Sequence, residues 1–291
     1  MSNARNATMY QDLDPTARAA LQLSRADLSV RLRERAWIYQ SNEDMIANMA
    51  EKILEDYLAA LATGREQVAM IVPVGPVGQY GQLAALCVER DVSLDRLTLF
   101  VMDEYLTDSG AWISEDDPLS FRAHLWRNLL DKLPDDMRPA LVVPDPHDLG
   151  AVGRLIADLG GIDVCYAGVG ITGHLAFNEP MTGALDAAYF ADLPTRIVPL
   201  LPETRLINAV TAARGNVARI PRMAVTIGMR EILGARKLRL FMNREWQSAA
   251  IRRLAAGPIT ADFPASLVQT HADWSLHVVE HVLDAPEPRL A

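Results

Sequence analysis

Short apolar runs, each followed by a helical stretch, recur along this chain and constrain its fold more than any other feature. VAMIVPVG precedes GQLAALCVER, LTLFVMDEYL precedes a loop and a helix within 120–133, and LVVPDP precedes AVGRLIADLG. The run GIDVCYAGVG is continuously apolar rather than alternating, as expected of a strand covered on both faces in a parallel sheet. RMAVTIG and LRLFMN read as further strands, with a helix over 247–256. Strands joined by right-handed helical crossovers predict an α/β three-layer sandwich with a mostly parallel, Rossmann-like sheet. Ahead of the first run, Met45, Ile46, Met49, Ile53, Leu54, Tyr57 and Leu58 recur at helical spacing across 42–63, and Gly64 stops that helix. Residues 1–35 are polar and weakly periodic. They are expected to be an N-terminal extension with one helix over 15–23, leaving a single α/β domain over 36–291.

At 291 residues, half of them hydrophobic and 22% charged, the chain can bury a full core without disulfides or a structural metal. The net charge of −9 argues against a nucleic-acid partner, which would call for a basic face. Cys87 and Cys165 both lie inside apolar runs, with no Cys-x-x-Cys or Cys/His cluster, so reduced buried thiols are expected and no metal ligands. The N-terminus has no apolar leader, and no run of about 18 apolar residues occurs, so a cytoplasmic protein without a membrane partner is expected.

Ligands of such sheets bind beyond the carboxyl ends of the strands, which nominates the loops 73–80, 103–108 and 170–180. Asp103 and Glu104 follow the strand LTLFVM. Adjacent carboxylates there can supply a general base, because repulsion and burial raise one pKa; the alternative is a helix or turn cap. In GVGITGHLAFNEP, three glycines make a tight turn whose N–H groups can face a ligand, and His174 and Glu179 follow as a proton-shuttle pair. The glycines match Gly-x-Gly-x-x-Gly, but AFNEP is not the smooth helix start that a dinucleotide site requires, so no nicotinamide cofactor is expected.

FVMDEYL and GVGITGHLAFNEP resemble the Met-Asp-Glu-Tyr and G-x-G-x-D-G-H-x-A-F-N-E-P segments of the glucosamine-6-phosphate deaminase family. The resemblance runs loosely from Trp37 to Val282, through Glu203-Thr204-Arg205 and 224–228. Sister 6-phosphogluconolactonases share the glycine–His part but lack the Phe-Asn-Glu-Pro ending and carry Arg at the place of Tyr105. The resemblance implies an aldose–ketose isomerisation of an amino sugar or its phosphate, with ammonia released and no metal or organic cofactor. It makes Asp103 the base between C2 and C1, and His174, oriented by Glu179, the group that helps open the sugar ring. It further implies substrate contacts at Gly75, Val77, Glu104, Gly170, Thr172, Gly173 and Asn178, and it admits a homo-oligomer with the segment 277–291 docked on a neighbour.

Three departures bear on the substrate. Thr172 stands where the family has Asp, two residues before the imidazole. The phosphate loop, rich in Gly and Thr in the family, reads Pro73-Val74-Gly75-Pro76-Val77-Gly78, which lacks hydroxyls and one N–H. The family's phosphate-binding Arg and Lys fall near Val210 or Thr211 and near Trp246. Arg214, Arg230 and Arg244 lie close enough in sequence to compensate, Arg230 at a helix start that favours anions, and Trp246 offers a stacking face for a sugar. These losses predict an unphosphorylated or differently charged sugar. A lactonase or plain isomerase on the same frame, and a sugar-binding protein without turnover, are the competing expectations.

Overall fold

The computed structural model describes residues 13–32, 34–181 and 186–287. Its strands are β1 (Ala36–Tyr39), β2 (Val68–Val72), β3 (Leu97–Val101), β4 (Asp103–Leu106), β5 (Ala140–Val142), β6 (Val164–Ala167), β7 (Arg196–Pro199), β8 (Met223–Thr226), β9 (Lys237–Met242) and β10 (Trp274–Val279). The helices are α1 (Pro15–Leu21), α2 (Arg25–Leu32), α3 (Asn42–Ala62), α4 (Gln79–Glu89) and α5 (Phe121–Asn128), then α6 (Ala151–Asp158), α7 (Ala187–Ala191), α8 (Pro202–Ala212), α9 (Met229–Leu233) and α10 (Gln247–Ala256). Among them no helix is long and apolar enough to cross a membrane.

Seven strands pair in the order β1-β10-β9-β6-β2-β3-β5, every pair parallel. Alternation along each strand sends side chains to opposite faces. Ala69, Ile71, Phe100, Cys165 and Leu240 enter one core, while Val68, Met70, Leu99, Tyr166 and Phe241 enter the other. Helices α2 and α10 contribute to the first core and α3, α4 and α5 to the second, which makes the three layers. Cys87 and Cys165 are free and buried, as their apolar surroundings predict. Burial raises the Cys87 thiol to about 11.

LTLFVMDEYL is not one strand. The N–H of Met102 still donates to Val72 of the main sheet (3.0 Å), but its carbonyl accepts from Ile227 (2.9 Å). From Asp103 the chain therefore runs in a second, antiparallel sheet ordered β4-β8-β7, which also takes the RMAVT strand expected in the main sheet. Over this sheet Tyr105, Phe177, Leu200 and Ala224 form a third small core.

Residues 15–32, expected to lie in an extension, pack into the body of the protein. Leu28 and Leu32 belong to the first core, and the fully buried Arg252 of α10 donates to the carbonyls of Leu23, Ser248, Leu283 and Asp284. The segment expected to dock on a neighbour is likewise internal as far as Leu283. His277 to Val279 lie within β10, between β1 and β9, and Val282 and Leu283 are buried; 288–291 lie outside the described residues.

The strand order reverses at β2. The chain first builds outward through β3 and β5, then crosses to the other side of β2 with β6. A crevice opens at such a switch point, beyond the carboxyl ends of the two strands. The loops that leave β2 and β6 both meet there.

Candidate active site

The sheet change at Met102 delivers Asp103 to this crevice. Asp103 lines a cavity of about 320 Å³ together with Gly75 and Val77 after β2, Gly170 and His174 after β6, and Trp246 after β9. That volume suits a small molecule. Among the described residues no donor is hydrogen-bonded to the Asp103 carboxylate. Burial, and next the charge of Glu104, push its pKa well above the ordinary carboxylate range.

Glu104 faces the other way and does not reach the cavity. One carboxylate oxygen accepts from the N–H groups of Tyr105 and Phe121 (2.9 and 3.1 Å). The other accepts from the Ser120 hydroxyl, the Arg122 N–H and the Arg122 guanidinium (3.0, 3.0 and 3.1 Å). Glu104 thus holds the first turn of α5, where exposed N–H groups favour an anion. Successive residues of a strand point to opposite sides. The cap reading is realised at Glu104, Asp103 alone of the pair lines the cavity, and the expected substrate contact at Glu104 is corrected.

The glycine turn positions the imidazole. Gly173 has φ +85°, and a Cβ there would fall 2.2 Å from the Phe263 ring. At Gly170 a Cβ would lie 1.9 Å from Nε2 of His174, so only glycine lets the imidazole sit against this backbone. Nδ1 of His174 is 2.8 Å from the Thr172 hydroxyl and 3.1 Å from Glu179 Oε2, and that hydroxyl donates to the same oxygen at 2.8 Å. With the hydroxyl proton committed to Glu179, the network assigns the imidazole proton to Nδ1 and leaves Nε2 as the free nitrogen. Thr204 of α8 closes the group, 3.4 Å from Nδ1. Burial pushes the Glu179 carboxyl upward, but His174, Thr204 and Thr172 together hold it below its usual value. Thr172 thus bridges the imidazole and the carboxylate through an uncharged hydroxyl.

Two further expectations are corrected. Asn178 is fully buried and ties the turn to the second sheet, donating to the carbonyls of Leu175 and Ile227 and accepting from Arg196. A side chain so engaged has no group left for a substrate. Arg230 forms a two-pronged pair with Asp192 on the exposed face (2.8 and 3.0 Å) and does not line the cavity. Among the described residues that line it, Arg244 is the one Lys or Arg. From the 73–78 loop Val74, Pro76 and Val77 line the cavity, and Ile207 and Ala212 line it from α8.

The cavity also contains a pair that motif reasoning passed over. Asn208 of α8 donates to the Tyr105 hydroxyl at 2.9 Å, and both line the wall near Asp103. The helical period of 202–212 was visible, but not which face meets the sheet. Among the described residues no group of three His, Cys, Asp or Glu side chains comes together as metal ligands.

No protein-family model matches the chain. Among solved structures it resembles a monomeric glucosamine-6-phosphate deaminase, with TM-score 0.69 and 25% identity over 85% of this chain and 98% of that one. It also resembles the 6-phosphogluconolactonase of Trypanosoma brucei, with TM-score 0.61 and 15% identity over 85% and 97% of the two chains, a likeness of fold alone. The glucosamine-6-phosphate deaminase of Clostridium perfringens is 27% identical over 257 residues, 84% of this chain and 96% of that protein. Glucosamine-6-phosphate deaminase 2 of Bacillus subtilis is 32% identical over 225 residues, 75% of this chain and 81% of that protein. An identity of that size, sustained along most of a relative and joined to a shared fold, makes this chain a member of the glucosamine-6-phosphate deaminase family.

Proposed function

We propose that the protein converts an amino sugar from its aldose to its ketose form and releases the amine as ammonia. The observation that carries this reading is the meeting of a desolvated, unbonded Asp103 carboxylate and an oriented His174 imidazole on one small cavity. The imidazole suits proton transfer at the ring oxygen, which opens the sugar. Asp103 then takes the proton on C2, giving an enolamine, and returns it to C1, giving an imine at C2. Water adds to that imine and ammonia leaves, so one water is consumed for each ammonia released. A carboxylate whose pKa is raised is a stronger base than an ordinary one, which suits removal of a carbon-bound proton.

At its far end the substrate meets Val74, Pro76 and Val77, which bring no hydroxyl and, at Pro76, no N–H, with Arg244 as the lining cation. Hydrogen bonds to a charged group contribute about 1.5–3 kcal/mol each, so a phosphate with so few partners gains little. The proposed substrate therefore carries a neutral or weakly charged far end, with Trp246 against a sugar face. Ammonia release from glucosamine 6-phosphate and from glucosamine, measured side by side, tests both parts. The expected result is turnover with no more than about tenfold preference for the phosphate, equivalent to one well-made contact. Absence of ammonia from either sugar would overturn the deaminase reading. A preference of about a thousandfold for the phosphate would overturn the reading of the far end alone.

A further inference from the structure

A second and larger cavity, of about 500 Å³, lies away from the catalytic one, where the N-terminal ends of β9 and β10 meet β1 at the sheet edge. The residues facing it break the apolar pattern of a sheet covered by helices. Arg239 and Ser275 are register partners on β9 and β10, and His277 and Phe241 are partners one step further along the same face. Trp37 of β1 is the register partner of His277 and stacks on it, with ring centroids 5.1 Å apart and planes within 9°. Trp37 is nevertheless 47% exposed, so much of the indole is not covered by the fold.

Three kinds of chemistry converge on this cavity. Trp37 supplies an aromatic surface, and the buried His277 extends it as a neutral ring, since burial, then Arg239 and Lys52, lower its pKa to about 3. Arg35, Lys52 and Arg239 supply positive charge, Lys52 paired with Glu55 (2.8 Å) and Arg239 with Asp56 and Asp273 (3.6 and 2.9 Å). The Arg35 guanidinium lies 4.8 Å over the Trp274 ring and donates to that residue's carbonyl, with no carboxylate partner among the described residues. Glu34 supplies a carboxylate acceptor and Ser275 a hydroxyl, while Asp273 accepts from Arg239 at 2.9 Å. Aromatic face, cations and acceptors match in turn the base, phosphate and ribose hydroxyls of one ligand class.

We propose that this second cavity binds a nucleoside monophosphate, with Trp37 as stacking surface, Arg35 and Lys52 as phosphate partners, and Glu34 as ribose acceptor. The site is separate from the catalytic chemistry, yet the stack continues from His277 to Phe241 (4.5 Å, 11°), and Phe241 lines the catalytic cavity. A single ring thus stands between His277 and that cavity.

Titration calorimetry of the full chain with adenosine 5′-monophosphate tests the proposal, with adenosine and inorganic phosphate as separate probes. Saturable binding at one site per chain is expected, at least about tenfold tighter than either fragment. Trp37→Leu and Arg35→Ala should each weaken it about tenfold or more. Lys52→Ala, on a half-buried position of α3, provides a third variant should the first two fail to fold, and it too should weaken binding. No saturable binding up to about 10 mM would overturn the proposal. So would an affinity unchanged in all folded variants, or displacement of the nucleotide by a sugar substrate, which would place it in the catalytic cavity.

Discussion

Burying the Asp103 carboxyl carries a cost to the fold. That carboxyl titrates well above the ordinary range, whereas in the unfolded chain it loses its proton near pH ~3.9. Between those two values the folded state keeps a proton that the unfolded state has released, so stability falls as pH rises across that window. Asp103→Asn should therefore raise the melting temperature at neutral pH, and the gain should vanish as pH approaches about 4. The same variant should lower kcat by about 10²–10⁴-fold, the usual contribution of a general base, and the wild-type rate should show an acid limb above the ordinary Asp range. Thr172 belongs to the positioning of His174. Thr172→Val should reduce kcat about tenfold with KM little changed and should alter the pH profile, while Thr172→Ser restores both. The nearness of His174 to Glu179 was legible in the sequence. Which carboxylate of Asp103–Glu104 faces the cavity was not, because neighbours in sequence differ only in the side of the strand they face. Arg230 and Asn178 show the same limit, since ion pairing and burial depend on residues 18 or more positions away: Asp192 for Arg230, Arg196 and Ile227 for Asn178.

Elements with a clear period were readable almost to the residue. The helix expected over 42–63 is α3, Asn42–Ala62, and the one over 247–256 is α10. The break after Val101 was not readable. Met102 is apolar, and the residues on both sides of it suit a strand, so no local signal marks the change of sheet. That change depends on which carbonyls and N–H groups Met102 finds, Val72 on one side and Ile227 on the other. Glu104 then secures the next element. Glu104→Ala should leave the first turn of α5 and the Arg122 guanidinium without their anion, and should destabilise the protein by about 3–5 kcal/mol, read from the urea midpoint. The same change removes the charge beside Asp103, so the acid limb of any remaining activity should move to lower pH.

For the molecule as a whole, the N-terminal helices are the clearest departure from what composition suggested. Their sequence is polar, yet Leu28 and Leu32 are buried and Leu23 supplies a carbonyl to the interior Arg252. Deleting residues 1–32 should cost about 3–6 kcal/mol from the two leucines and leave Arg252 short of one acceptor, visible as a lower chemical-denaturation midpoint. Apolar period, glycine spacing and the interval between His174 and Glu179 are local properties, and with them the parallel three-layer fold, the turn and the orienting couple were already written in the chain. Assembly in three dimensions chose the second sheet, the outward or inward direction of each acid, the pairing of Arg230 with Asp192, and the apolar far wall of the cavity. Those outcomes depend on desolvation and on partners brought together through space, and neither is a function of sequence distance.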